Sequence, residues 1–412
     1  MRRRGFANDG VMWRSSRRPS AGSRYGFEYL SADEVYLDSA CQTLRPQPVI
    51  DALAGYYTAY GACGDRVKYP WGRKVDAEVA ETRAKVLAAF GLSPRRYAAC
   101  FTLNTTFGVN LLLHQLPVGR YRRVVTTHTE HNSVFLPVIA CAQRTGVERI
   151  VLERDDDGRV RYEAADLDGA LVVLSAMNNV DGAVTTNLAE LIADAHRGGG
   201  VVIVDAAQAA PHALEQLRGL PADAFCFSAH KMYGASLGVV VAALPLLASL
   251  EVSFLGGGQI TGLTESGYEL LPDLTTRLEP GLQAWGEIIA LGAALDWSAG
   301  FRAATGETVG EREERLSGRL FDGLATMPRV ALVNARASSV ISFLPERVDA
   351  HRLAAFLGSA GVMVRSGHFC AHHWLSDQRG LEPLVRFSVG AHNDEADIER
   401  ALDVMTRLMK GL

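Results

Sequence analysis

The chain has 412 residues, 48% of them hydrophobic and 21% charged. That is enough to bury a sizeable core and excludes a mainly disordered or fibrous protein. A net charge of −4 and a pI near 6.3 lack the basic excess of a dedicated nucleic-acid binder, and no apolar run reaches the ~18 residues of a membrane span, so neither partner is expected.

Residues 1–27 read as a tail, with seven arginines (Arg2, Arg3, Arg4, Arg14, Arg17, Arg18, Arg24) among Ser, Gly and Pro. Three readings stand: a disordered start, an over-long start with Met12 as the true one, or a mitochondrial-type presequence. Val35-Tyr36-Leu37 is a short apolar strand. Residues 47–60 and 76–90 have helical spacing, the second closing at Gly91. Strands are then expected at 98–102, 123–127, 148–152, 171–175, 201–205, 223–227 and 237–242, with helices near 106–116, 132–145 and 187–197. Runs such as Leu171-Val172-Val173-Leu174 and Val201-Val202-Ile203-Val204 are apolar on both faces, as in a parallel sheet covered by helices.

After residue 281 the rhythm changes. Helices are expected at 284–299 and 306–324, then strand 338–343, helix 348–358, strands 361–365 and 384–389, and a last helix at 393–410. The expected fold is α/β: a large domain over 46–299 with a mostly parallel seven-stranded sheet and helices on both faces, and a smaller α+β domain over 300–412. Residues 28–45 should pack with the smaller domain. Six cysteines (Cys41, Cys63, Cys100, Cys141, Cys226, Cys370) lack CxxC pairing, which fits a reducing, cytoplasmic compartment.

Of 42 lysines and arginines only five are lysine, and between Lys85 and Lys410 there is one, Lys231. Arginine cannot serve as an amine nucleophile; lysine can. In open α/β sheets, ligands bind beyond the carboxyl ends of the strands. Four polar sets stand at such ends: Asn104-Thr105-Thr106, Glu130-His131-Asn132, Asp205-Ala206-Ala207-Gln208 and Ser228-Ala229-His230-Lys231. Read singly, each is bland: a turn aspartate, an N-cap threonine, a packed histidine, a surface lysine. Read together at one sheet edge, they suit pyridoxal phosphate chemistry. Lys231 supplies the amine for a Schiff base, and Asp205 the carboxylate that keeps the pyridine nitrogen protonated. Gln208 supplies a donor near the phenolic oxygen, and His131 a flat group over the ring. Thr105, Thr106, Ser228 and His230 form a phosphate cradle at a helix N-terminus.

The spacing Asp205-Ala-Ala-Gln208, then Ser228-Ala-His230-Lys231, resembles the cysteine desulfurase branch of fold-type I pyridoxal phosphate enzymes, in the class V aminotransferase family. The resemblance covers about residues 33–411. It includes Tyr36-Leu37-Asp38-Ser39-Ala40 as the opening strand, the Thr105-Thr106 pair, Glu130-His131, and Asn178-Asn179-Val180-Asp181-Gly182. It implies that Asn179 lies near the phenolic oxygen and the substrate. The segment Val364-Arg365-Ser366-Gly367-His368-Phe369-Cys370-Ala371 is similar to the Arg-Thr-Gly-His-His-Cys-Ala motif of desulfurases and selenocysteine lyases with a short catalytic loop. The resemblance implies that Arg365 binds the substrate carboxylate and that Cys370 takes the sulfur as a persulfide. Arg386 resembles a further family arginine near the substrate. A homodimer, a small amino-acid substrate and a sulfur-acceptor protein are implied as well.

Other readings stay open. Cys370 read alone is a buried apolar thiol, like the other five cysteines. His368, Cys370, His372 and His373 contain zinc-ligand types but fit no familiar spacing, so no metal is expected. Gly256-Gly257-Gly258 lacks the Gly-Lys-Ser/Thr of a P-loop, and Asp155-Asp156-Asp157-Gly158 reads as a solvated turn. A transaminase, an epimerase or a lyase on a modified amino acid would keep the same cofactor set, and a non-catalytic scaffold would keep only the fold. The chain departs from the family at Glu279-Pro280-Gly281-Leu282, where Leu282 replaces a hydroxyl that reaches the partner subunit's phosphate. It departs again at Asp65-Arg66-Val67-Lys68-Tyr69, where only Arg66 survives, and at Cys370-Ala371-His372-His373.

Overall fold

In the computed structural model, which describes residues 25–31, 33–65 and 67–411, the strand Val201–Asp205 is buried along its whole length. Its side chains alternate between two apolar layers. Val202 and Val204 meet the helices Pro70–Ala89, Leu188–Arg197 and Trp285–Gly300, through Val79, Leu191 and Ile288 among others. Val201 and Ile203 meet the helices Thr105–Gln115 and Asn132–Thr145, through Leu112 and Val138. Burying one such side chain contributes roughly 1.5–3 kcal/mol, so a strand apolar on both faces is stable only when covered on both sides.

The sheet has eight strands rather than seven. Their order is Tyr97–Thr102, Gly238–Ala243, Ala224–Ser228, Val201–Asp205, Ala170–Ser175, Arg123–Thr127, Glu148–Arg154 and Val160–Arg161. Only Gly238–Ala243 and Val160–Arg161 run against the others. The eighth strand was missed because two residues carry no period; Asp155 turns it back onto Glu148–Arg154, accepting from the amides of Asp157 and Arg159.

A second, antiparallel sheet lies later in the chain, in the order Val330–Leu332, Val340–Pro345, Leu384–Ser388, Arg365–Gly367. Three helices, Val309–Ala325, Ala350–Ser359 and Glu395–Gly411, bury Leu320, Leu353 and Ile398 against Ile341, Phe343, Val385 and Phe387. Period-two alternation therefore turns Ser342, Arg386 and Ser388 to the opposite face, toward the large sheet; there Ser342 Oγ donates to the Val180 carbonyl (2.6 Å).

Three expected elements differ, and one element was not expected. The stretch 361–365 is two strands in different sheets: Val362–Met363 pairs with Val35–Tyr36, and Arg365–Gly367 pairs with Leu384–Ser388. The helix expected at 76–90 starts at Pro70, whose fixed φ suits a first helical turn. The helix expected at 47–60 is α-helical to Gly55 and continues as one wide π-turn, Tyr56–Tyr60. A hairpin, Ile260–Thr264 with Gly267–Leu270, occupies a stretch left unassigned above. Residues 1–24 of the Arg-rich tail lie outside the described residues, but Phe27 at its end is fully buried against Tyr233 and Trp297. Among the described residues no helix is long and apolar enough to cross a membrane.

Candidate active site

Five strands of the large sheet point their carboxyl ends at one cavity of about 310 Å³. Every candidate residue lines it: Thr105, Thr106, His131, Asn179, Asp205, Gln208, Ser228, His230 and Lys231 from the large sheet, and Arg365, Cys370 and Arg386 from beside the smaller one.

At one end, Asn104 caps the helix Thr105–Gln115 by accepting from the Phe107 amide (2.9 Å). The Thr105 amide donates to Ser228 Oγ (3.0 Å), and the two hydroxyl oxygens lie 2.7 Å apart. Helix N-terminus, hydroxyls and His230 thus converge where an anion is favoured. His230 is pushed down to about 4, first by burial and then by Lys231 and Arg45.

In the middle, Asp205 accepts from the Ala207 amide (2.8 Å) and from Ser133 Oγ (3.2 Å). Burial raises its carboxyl above the ordinary range, opposed by those bonds and by Lys231. Burial lowers Lys231, which favours the free amine. His131 caps the helix Asn132–Thr145, its Nδ1 accepting from the Ser133 amide (2.9 Å). It is pushed down to about 3 by burial and then by Lys231, Arg386 and His372, so its ring is neutral at physiological pH. Behind it, Glu130 is fully buried, accepting from Thr127 Oγ1 (2.7 Å) and from the amide and hydroxyl of Ser175 (2.9 and 2.5 Å); burial lifts it to about 7.

At the other end, Phe369 and Cys370 both adopt left-handed backbone (φ 49° and 58°). Each such residue costs on the order of 1–3 kcal/mol, and the surroundings must hold it. They do: the Asn132 amide donates to the Cys370 carbonyl (2.6 Å), and Asn179 Nδ2 donates to the Phe369 carbonyl (2.7 Å). Cys370 is exposed at the mouth. A wide helical turn, His373–Gln378, follows. His373 stacks on Phe135 (centroids 4.3 Å apart), its Nε2 lies 2.9 Å from His128 Nδ1, and its Nδ1 lies 3.0 Å from Asp377.

The cysteines correct the sequence reading. Cys100, Cys141 and Cys226 are buried as expected, whereas Cys63 is exposed and Cys41 lines the cavity. Gln208 spends its amide nitrogen on the Ala40 carbonyl (2.8 Å), leaving Oε1 buried without a partner, so its nitrogen is not free in the manner foreseen. Arg365 and Arg386 both bind Asp38, whose own part went unread because its stretch was taken only as an opening strand. Ser133, the donor to Asp205, was missed too; its signal was its place two residues after His131, in the first turn of a helix. Leu282 is 78% exposed, while Glu279 is held by Arg83 (2.6 and 2.7 Å) and the Phe101 amide (2.6 Å). Arg66 lies outside the described residues. Among the described residues, His368, Cys370, His372 and His373 included, no three or more ligand-type side chains come together in a group that could hold a metal.

Set beside known proteins, residues 35–401 match the family model of class-V aminotransferases. A probable cysteine desulfurase of Pseudomonas aeruginosa is 33% identical over 390 residues, covering 91% of this chain and 94% of that one. A probable cysteine desulfurase of Pseudomonas putida is 31% identical over 381 residues, covering 90% and 93%. The apo structure of a cysteine desulfurase from Thermococcus onnurineus is similar with a TM-score of 0.83 at 29% identity, covering 92% and 95%. The chain belongs to the class-V aminotransferase family.

Proposed function

We propose, from membership of the class-V aminotransferase family, that this chain is a pyridoxal 5'-phosphate-dependent enzyme that breaks the carbon–sulfur bond of cysteine or a cysteine-like amino acid and carries the sulfur away on Cys370 as a persulfide. One observation carries the reading: a single cavity unites a half-buried lysine, a buried aspartate, a helix N-terminus, two arginines and an exposed cysteine.

The residues fit the cofactor. Asp205 is a fully buried carboxylate with two donors, which leaves acceptor capacity for a ring N–H. Gln208 Oε1 is a buried acceptor without a partner, so it would meet a donor of the cofactor or substrate, and a phenolic oxygen there only if that oxygen kept its proton. Thr105, Thr106, Ser228 and His230 would hold the phosphate, Lys231 would bind the aldehyde carbon, and His131 and Asn179 would border the ring. When bound, the cofactor supplies an electron-withdrawing ring that loosens bonds about an amino acid's Cα.

The protein's own groups do the rest. Arg365 and Arg386 would hold the substrate carboxylate, a task suited to planar guanidiniums. Lys231, its proton affinity lowered by burial, can take a proton at Cα and return it. The Cys370 thiolate would bond to the substrate sulfur as that atom parts from Cβ, leaving alanine and a Cys370 persulfide for an acceptor protein. A homodimer belongs to the same proposal: a second copy would cover Leu282 and the exposed Tyr57 and Trp71. A reducing, cytoplasmic setting suits the free cysteines.

The test is to incubate the purified protein with cysteine, selenocysteine and alanine. The reading expects sulfide or selenide in step with alanine under reducing conditions. A keto acid without sulfide would move the function to a repurposed relative, and a colourless, cofactor-free protein would make it a scaffold.

A further inference from the structure

Arg365 and Arg386 face each other directly across two antiparallel strands. Like charges in that register repel, and left alone the two side chains would splay apart. Asp38 prevents this. Arg365 meets it side-on: Nε donates to both carboxylate oxygens (3.2 and 3.0 Å), and Nη2 lies 3.0 Å from Oδ2. Arg386 Nη2 donates to Oδ1 (3.2 Å), while its Nη1 donates to the Asn179 carbonyl (3.0 Å) and its plane lies over the Phe369 ring.

The backbone sets Asp38 there independently of its charge. Asp38 bridges Ser388, two residues beyond Arg386, in parallel fashion. The Ser388 amide donates to the Leu37 carbonyl (2.8 Å), and the Ala40 amide donates to Ser388 Oγ (2.9 Å). Donors remain for a ligand. Arg386 Nε is buried without a partner, and the side-on grip on Arg365 engages Nε and Nη2 only.

We propose that Asp38 is the positioning residue of the carboxylate subsite. It draws two opposed guanidiniums to one point of the cavity wall and leaves that point with one net positive charge, matched to an amino acid that bears a single carboxylate. The inference rests on the reading of Arg365 and Arg386 as the carboxylate ligands and adds to it the device that orients the two arginines and the class of substrate they admit. Two positive charges without Asp38 would suit a dicarboxylate; with Asp38, a second carboxylate meets a negative neighbour.

The experiment compares holoenzyme of the wild type, Asp38→Asn and Asp38→Glu. It reads KM and kcat for cysteine, and calorimetric affinities for alanine and aspartate. For Asp38→Asn the expected result is a KM raised about tenfold, a kcat changed by less than about twofold, and an aspartate-to-alanine affinity ratio raised about tenfold. Asp38→Glu restores the charge and should return the ratio to the wild-type value while KM stays elevated. If Asp38→Asn fails to fold, Asp38→Glu decides alone: a raised KM with an unchanged ratio supports the proposal, and an unchanged KM overturns it. An Asp38→Asn enzyme with wild-type KM and ratio also overturns it, as does one that loses kcat only. Arg365→Ala and Arg386→Ala separate the layers: if neither weakens alanine binding, the carboxylate reading itself falls, whatever Asp38 does.

Discussion

One wall of the cavity hangs from the carboxyl ends of five strands of the large sheet; the other is formed by Arg365, Phe369, Cys370 and Arg386, where a left-handed stretch of backbone leads into one wide helical turn, His373–Gln378. The first wall is held by ladders and by caps such as Asn104 and His131, which are consequences of the fold itself. The second is held by particular contacts: Asn132 to Cys370, Asn179 to Phe369, His128 to His373. On the function proposed above, this difference would separate the chemistry, carried by the first, rigid wall, from substrate choice and sulfur handling, carried by the fastened loop.

The largest effect should come from the rigid wall. Lys231→Arg keeps the charge and removes the amine, so turnover should fall on the order of a thousandfold or more, with loss of the bound cofactor's absorbance. Borohydride reduction followed by peptide mapping should put the cofactor on Lys231; a label on Lys68, Lys74 or Lys85 would erase the division between the walls.

A smaller effect belongs to the loop. His373→Ala removes the stack on Phe135 and the bond to His128. Loss of about 1 kcal/mol of fastening should lower turnover roughly fivefold. Cofactor absorbance should stay unchanged, and a variant that sheds cofactor would mean the walls are not separable. Alkylation sharpens the same point. Cys370 and the exposed Cys63 should react first, whereas Cys100 and Cys226, buried and raised well above the ordinary thiol range by burial, should react last.

The effect with the least bearing on turnover is on stability. Folded Glu130 keeps its proton up to about pH 7, whereas the unfolded chain gives it up near 4.5. Stability from this group is full below about 4.5 and is lost as pH rises through 7, by up to roughly 3 kcal/mol. His131 tilts the other way: held near 3 against an ordinary 6.5, it costs stability as pH falls from 6.5 toward 3. Thermal melts of Glu130→Gln should lose the decline between about 4.5 and 7 and keep the acid-side decline. An unchanged profile would place the titration elsewhere.

The two walls also differed in how readable they were. Asp205, Lys231 and His131 stand where a strand runs out, and the strands announced themselves through apolar runs such as Val201–Asp205. The lone lysine added a compositional signal. Cys370 was found through motif resemblance rather than physical pattern, and its left-handed backbone carries no glycine to mark it. Asp38 stayed unread because its meaning depends on two arginines more than 300 residues away, brought opposite each other only by sheet register. The short strands and the hairpin at 260–270 were lost for a related reason: pairing partners, not local period, create them.

The most direct test of the central claim is a single-turnover experiment. The holoenzyme is given one equivalent of cysteine without reductant, digested under non-reducing conditions and mapped by mass spectrometry, with alanine measured in parallel. The account predicts one added sulfur atom on the peptide bearing Cys370, in proportion to the alanine formed, and neither in Cys370→Ser. Alanine formed at the wild-type level by Cys370→Ser, or sulfur found on the peptide bearing Cys41 instead, would contradict it.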